Sequence, residues 1–320
     1  MAIRQSLRLF SSLPKTVSVI SVPCNLGQPL LGPDQSPKLL IENGLFKLLA
    51  DCEYRIKQIP DILPIVTHES SADVNYMAAK NARNSLQVGL TSEIVHQRVF
   101  EEAKSRHFLL ILGGDHCISI GTISGIKAAR KSTGIVWVDA HGDINTPQTS
   151  GSGNMHGMPL GFLTGLVDNH QSYPGFAWFN PCVNPRDIVY IGLRDLDDGE
   201  KANIKKSGIK AYTMYDIDEK GIGTVMRETV EYLKSYEHIH LSYDIDSLDP
   251  FFAPHTGTAV RGGLTFREGN FICEHLHASG RLTSMELVEV NPSLHQGMDP
   301  KYTIDVALTL IGSTMGKTIL

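Results

Sequence analysis

Val136-Trp137-Val138-Asp139-Ala140-His141-Gly142-Asp143 opens as an apolar run and ends in three ligand-type side chains at alternate positions. In an extended strand, residues i, i+2 and i+4 project to one face. Asp139, His141 and Asp143 are therefore expected to aim at one point without help from distant chain. Two other segments share the design: Phe108-Leu109-Leu110-Ile111-Leu112 runs into Gly113-Gly114-Asp115-His116, and Ile239-His240-Leu241-Ser242-Tyr243 runs into Asp244-Ile245-Asp246. Short runs this apolar read as strands buried on both faces, which is the habit of parallel sheets.

Outward from these runs, strands alternate with helix-compatible stretches. Strands are predicted over 16–22, 108–112, 135–138, 187–191, 210–212, 239–243 and 282–290. Helices are predicted over 35–51, 75–88, 92–106, 119–131, 224–235, 266–279 and 304–311, from apolar residues at helical intervals such as Leu39, Leu40, Leu45 and Leu48. Such alternation predicts a three-layer α/β/α sandwich with a central, mainly parallel sheet. Repeats and linkers of domain-boundary length are absent, so residues 16–320 read as one domain behind an N-terminal extension, 1–15. In open sheets of this kind ligands bind beyond the carboxyl ends of the strands, where the Asp and His clusters fall.

The 320-residue chain is 42% apolar and 20% charged with a formal charge of -5, which gives no electrostatic case for a nucleic-acid partner. No apolar stretch approaches the ~20 residues needed to span a bilayer. Cys24, Cys52, Cys117, Cys182 and Cys273 form no C-x-x-C pair, so neither a disulfide framework nor a thiolate zinc site is expected, and a reducing compartment is implied. No acidic residue precedes Asp34, while Arg4, Arg8 and Lys15 lie among serines and leucines. That segment reads as a mitochondrial presequence or as an untethered extension; otherwise the chain is expected to be cytoplasmic.

Each cluster taken alone has a plain structural reading, since aspartates cap helices and make turns. Together, His116, Asp139, His141, Asp143, Asp244 and Asp246 supply four carboxylates and two imidazoles. Four carboxylates packed together must protonate or gather cations, and two divalent ions balance them. An oxygen-rich set without thiolate favours Mn²⁺ or Mg²⁺ over structural zinc. Two ions sharing a water lower its pKa and present hydroxide at neutral pH, so metal-assisted hydrolysis is the expected reaction class.

These motifs, with Gly27-Gln28-Pro29, Ile191-Gly192-Leu193-Arg194-Asp195 and Glu289-Val290-Asn291-Pro292, resemble those of the arginase/agmatinase (ureohydrolase) superfamily over about 17–311. Within it, Ile144-Asn145-Thr146-Pro147 and Ser152-Gly153-Asn154-Met155-His156-Gly157-Met158-Pro159 resemble the arginases. The resemblance implies two Mn²⁺ per subunit held by the six ligands above, and hydrolysis of L-arginine to L-ornithine and urea by a metal-bridging hydroxide. It implies that Asn145, Ser152 and Ser150 bind the substrate α-carboxylate and that Asp197 and Glu200 face the α-amino group. Glu289 would pair with the guanidinium, with Thr258 adding a contact. Asp143 would stabilise the tetrahedral intermediate, and His156 would shuttle protons. A homo-oligomer, trimer or hexamer, is implied as well.

Two departures from the family pattern stand out. Gly142 replaces the Ala or Thr of many arginases, with little effect expected because a side chain there would point away from the metals. His255 reads as a surface residue near the site mouth or as one that alters substrate approach. The rival readings are agmatinase or another guanidino-compound hydrolase, a dinuclear phosphoesterase, and a non-catalytic metal-binding regulatory protein on the same fold.

Overall fold

Strand-forming runs and helices alternate along the chain as β1 (Thr16–Val22), α1 (Ser36–Glu42), α2 (Leu45–Asp51), β2 (Arg55–Gln58), α3 (Ser85–Ala103), β3 (Phe108–Gly113), α4 (Ser119–Ala129), β4 (Thr133–Val138) and α5 (Pro159–Leu163). They continue as β5 (Ile188–Leu193), α6 (Asp198–Ser207), β6 (Lys210–Thr213), α7 (Met214–Lys220), α8 (Ile222–Tyr232), β7 (His238–Asp244), α9 (Phe266–Ala278), β8 (Leu282–Val288) and α10 (Lys301–Thr314). This computed structural model describes residues 16–66, 81–294 and 297–318. The extension 1–15, with its candidate presequence, lies outside the described residues.

All eight strands form one sheet in the order β2-β1-β3-β8-β7-β4-β5-β6, and every neighbouring pair is parallel. Alternate residues of each strand feed opposite cores. Val17, Val19, Leu110, Val136 and Leu241 pack with residues of α1, α2 and α7 to α10, while Ile20, Leu109, Ile111, Ile135 and Trp137 pack with α3, α4 and α5. The three-layer sandwich is therefore present, with burial on both faces explaining why β3, β4 and β5 carry almost no polar residue. Removing a central side chain, for example Leu110→Ala, would cost about 2–5 kcal/mol through the cavity it leaves.

The differences from expectation have local causes. The helix expected over 35–51 is two, because Gly44 sits at φ 103° between them. The helices expected over 75–88 and 92–106 are one, α3; residues 75–80 of the first lie outside the described residues. Gly89 inside α3 is a contact point rather than a break, since a Cβ there would meet the Gly175 carbonyl carbon at 2.5 Å. Strand β2 escaped notice because its polar sequence marks an exposed edge. Helix α6 is polar too, and it is announced by a capping box between Asp197 and Glu200. Strand β8 ends at Val288 rather than residue 290, because Glu289 has φ 63° and cannot continue an extended strand.

One feature of the order places the site. Strands β3, β8, β7 and β4 are adjacent, so the residues that follow them, His116, Glu289, Asp244 with Asp246, and Asp139, meet along one stretch of the carboxyl edge.

Candidate active site

Asp139 follows β4 directly and belongs to two clusters at once. Its Oδ2 lies 3.3 Å from His116 Nδ1 and its Oδ1 lies 3.5 Å from His141 Nδ1. His116 Nδ1 also faces Asp143 Oδ2 at 3.0 Å and Asp244 Oδ2 at 3.2 Å, while His141 Nδ1 faces Asp246 Oδ2 at 3.1 Å. The expectation that Asp139, His141 and Asp143 converge on one point is corrected here. The chain leaves the extended conformation after β4, and Asp143 adopts φ 48°, so its carboxylate turns to the His116 cluster while His141 serves the other. Asp244 and Asp246 divide in the same way.

Both clusters fit divalent ions. His116 Nδ1 is fully buried and makes no hydrogen bond, yet three carboxylate oxygens surround it. Burial opposes a charge on His116, and the three carboxylates nevertheless hold its pKa well above the ordinary imidazole range. Burial, with Asp246 and Asp139, pushes Asp244 well up. The pocket thus calls for positive charge at the centre of each ligand set. His116-Asp139-Asp244 and Asp139-His141-Asp246 each bring three ligand atoms within 4.8 Å of one another. Trp137 stacks on the His116 ring at a centroid distance of 4.1 Å and donates from Nε1 to Asp139 Oδ2 at 2.9 Å.

Glu289 and His156 close the other side. Glu289 Oε1 accepts from the His116 backbone N–H at 2.8 Å and lies 3.0 Å from His156 Nδ1. Both contacts fall on Oε1 and neither on Oε2. Burial opposes the charge of His156, but Glu289 with Asp143 and Asp115 raises its pKa to about 9. The His156 backbone N–H donates to Gly27 O at 3.0 Å, and Gly27 N–H donates to Asp115 Oδ2 at 2.8 Å. Glycine is required at 27, because a Cβ would lie 2.5 Å from Asp115 Oδ1. Asp143 and Glu289 are both non-glycine residues in the left-handed region, a backbone cost of about 1–3 kcal/mol each that such sites retain where it aims a side chain.

Beyond the clusters lies a polar rim. Asn145 Nδ2 donates to Asp197 Oδ2 at 2.7 Å, and Asn145 Oδ1 accepts from Thr149 at 2.7 Å. The second amide hydrogen of Asn145 stays available. Ser150 Oγ accepts from Gly153 N–H at 3.0 Å and Ser152 Oγ from Asn154 N–H at 3.2 Å, so each hydroxyl keeps its own hydrogen to donate. Asp197 caps α6 through Glu200 N–H at 2.8 Å. Burial, then Asp143 and Asp197, pushes the Glu200 carboxyl up to about 8.

Thr258 donates to Asp246 Oδ2 at 2.8 Å and so lies against a cluster carboxylate. Two expectations change. His255 is not at the surface: it is fully buried, with Nδ1 2.9 Å from Thr303 Oγ1 and Nε2 3.1 Å from Met298 O. A Cβ on Gly142 would indeed avoid the clusters, but it would press on Glu200 Oε1 at 3.1 Å and Leu196 at 3.2 Å, so the position is not indifferent.

Sequence reasoning missed Ser242, Glu286 and Arg194. Arg194 ties the turn after β7 together by donating to the backbone carbonyls of Asp246, Ser247 and Leu248. Ser242 and Glu286 carried a legible signal: with His240 and Ser284 they are polar residues at alternate positions of two otherwise apolar strands.

A parallel α/β sheet whose carboxyl edge joins two imidazole-carboxylate clusters through one shared aspartate defines a dinuclear metallohydrolase of the ureohydrolase type. The model of the Arginase family matches residues 15–316. The chain belongs to the arginase family. It is 44% identical to the arginase of Emericella nidulans over 97% of each chain. Among solved structures, arginase from Bacillus caldovelox superposes with a TM-score of 0.86 at 39% identity, covering 96% of this chain and 100% of that one. Entamoeba histolytica arginase in complex with L-ornithine superposes with a TM-score of 0.84 at 31% identity, covering 96% and 100%. Among the described residues no helix is long and apolar enough to cross a membrane.

Proposed function

We propose that the chain hydrolyses L-arginine to L-ornithine and urea at two Mn²⁺ ions, one that His116, Asp139, Asp143 and Asp244 would hold and one that Asp139, His141 and Asp246 would hold. The observation that carries this reading is Asp139 shared between two imidazole-centred clusters, with the Asn145–Asp197 pair on the rim of the same site. The oxygen-rich donor set favours Mn²⁺. When bound, the ion pair supplies Lewis acidity that lowers the pKa of water and neutralises the four carboxylates.

The protein's own groups do the rest. Glu289 offers Oε2 to the planar guanidinium, a charge-assisted contact that fixes its carbon, and Thr258 acts through Asp246. Asp143 stabilises the tetrahedral intermediate formed when hydroxide adds to the guanidinium carbon. His156, held by Glu289, carries a proton to the departing δ-nitrogen, which leaves as the ornithine amine while urea forms. Asn145, Ser150 and Ser152 donate to the α-carboxylate, and Asp197 and Glu200 receive the α-ammonium. A rim that pairs its buried polar groups with both α-substituents rejects analogues lacking them, because the groups would be left unpaired.

The fifteen acid-free N-terminal residues with Arg4, Arg8 and Lys15 support mitochondrial import, and the family resemblance supports a homotrimer or hexamer. Arginine, agmatine and guanidinobutyrate competed at equal concentration with Mn²⁺ present test the substrate. Arginine should dominate urea release, and preferred release from agmatine overturns the reading.

A further inference from the structure

A path of buried polar groups leads from the back of His116 into the sheet. His116 Nε2 lies 2.8 Å from Ser242 Oγ, and Ser242 Oγ donates to Glu286 Oε1 at 2.7 Å. Glu286 also accepts from Ser119 Oγ at 2.6 Å and from Thr122 Oγ1, both on α4, and lies 3.4 Å from His240 Nε2. Glu286, Ser242, Ser119, Thr122 and His116 are all fully buried. Among the described residues no lysine or arginine pairs with Glu286, so its near partners are His240 and the hydroxyls around it, and a buried carboxylate is retained only where such partners offset its charge.

The hydrogen count fixes the state of the ring. A carboxylate receiving several donors is ionised and accepts only. Ser242 has one hydroxyl hydrogen and directs it at Glu286, so toward His116 it can only accept. Nε2 must then carry the ring proton, and the lone pair of neutral His116 resides on Nδ1, the atom facing Asp139, Asp143 and Asp244. A histidine can hold a metal only through an unprotonated nitrogen. Reverse the tautomer and the three carboxylates would face an N–H. The register makes the path rigid: Ser242 pairs with Glu286 across β7 and β8, and Glu286 with Ile111 across β8 and β3.

We propose that Glu286 is a positioning residue for the ion held by His116. Through Ser242 it selects the imidazole tautomer, aims Nδ1 into the carboxylate cluster and places negative charge behind the ring, which strengthens it as a donor. The buried charge of Glu286 then has two partners, His240 beside it and the ion that His116 would hold on the far side of the ring. Ser284, which contacts His240 at 2.9 Å rather than His116, belongs to the same polar inlay but lies off this path. The inference rests on the two-ion reading of the site.

Mn²⁺ titrated calorimetrically into the metal-free full-length chain tests it, with electron paramagnetic resonance reporting whether ions enter coupled pairs. Wild type should bind two ions. Glu286→Gln and Ser242→Ala should each weaken one of them by about 10–100-fold and leave the other unchanged, while Ser284→Ala should change neither. The double variant should be no worse than Glu286→Gln alone, as expected for groups acting along one path. At saturating Mn²⁺ the KM for arginine should match wild type. The proposal is overturned if Glu286→Gln and Ser242→Ala bind both ions like wild type, or if Ser284→Ala weakens binding equally, which marks a merely structural inlay. Should Glu286→Gln fail to fold, Ser242→Ala decides. A wild type that binds a single ion defeats the two-ion reading, and the variants then report on the affinity of that one ion.

Discussion

Glu289 Oε1 lies 3.0 Å from His156 Nδ1, and the same oxygen accepts the backbone N–H of His116 at 2.8 Å. One carboxylate atom therefore couples the proposed proton carrier, His156, to the loop that delivers His116 to its carboxylate cluster. Burial would keep His156 neutral; Glu289 outweighs it and raises the pKa to about 9. A raised histidine pKa means the pair stabilises the fold fully below the unfolded value of ~6.5, and this contribution is lost as pH rises through about 9. In metal-free protein, histidine NMR should show Glu289→Gln returning His156 toward the ordinary range. An unshifted His156 resonance would remove the coupling. His156→Asn should lower kcat by about 10²–10⁴.

The division of ligands makes metal content diagnostic. Asp139 touches both imidazole clusters, whereas Asp246 belongs to the one around His141. Asp139→Ala should emerge from gel filtration with neither ion retained, and Asp246→Ala with one. Equal retention by the two variants would mean that Asp139 does not bridge.

Glu200 should act as a proton store. Burial, with Asp143 and Asp197 nearby, lifts it to about 8, so at pH 7 the free site holds a proton that an unfolded glutamate, with a pKa of ~4.3, lacks. Stability should accordingly fall as pH rises from ~4.3 toward about 8 and then level off. An α-ammonium beside Glu200 favours the ionised form, so ornithine binding at pH 7 should release up to about one proton per site. Calorimetry in buffers of different ionisation enthalpy measures it, and Glu200→Gln should abolish the release. Buffer-independent heats for the wild type would exclude this role.

His255 should matter to stability and not to turnover. It ties the segment after β7 to Thr303 of α10 and to the Met298 carbonyl. His255→Ala leaves buried partners unsatisfied and should cost roughly 1–3 kcal/mol in denaturant unfolding, with KM for arginine unchanged. A raised KM at wild-type stability would return His255 to the site mouth.

Much of this was legible in the chain itself. The apolar runs ending in Asp139, His116 and Asp244 announced buried parallel strands and a ligand set at their carboxyl ends, because strand burial and ligand chemistry are both written in local residue types. Local patterning also held the helix cap at Asp197 and Glu200. Less local features were hidden. Gly89 looks like a helix break until Gly175 is seen against it, and His255 looks like a surface residue until α10 covers it.

What the sequence determined by itself was therefore the layer architecture and the histidine and aspartate residues that gather at its carboxyl edge. The strand order that brings β3, β8, β7 and β4 side by side was decided only by tertiary structure, and so was the sharing of Asp139 between two clusters. The path from Glu286 through Ser242 to His116 Nε2 belongs to the same class. The physical reason is common to all three. Residue type and spacing specify which face a side chain takes, but a partner on another strand, distant in the chain, is chosen by how the sheet closes. The direction of each hydroxyl hydrogen follows only once that neighbour is in place.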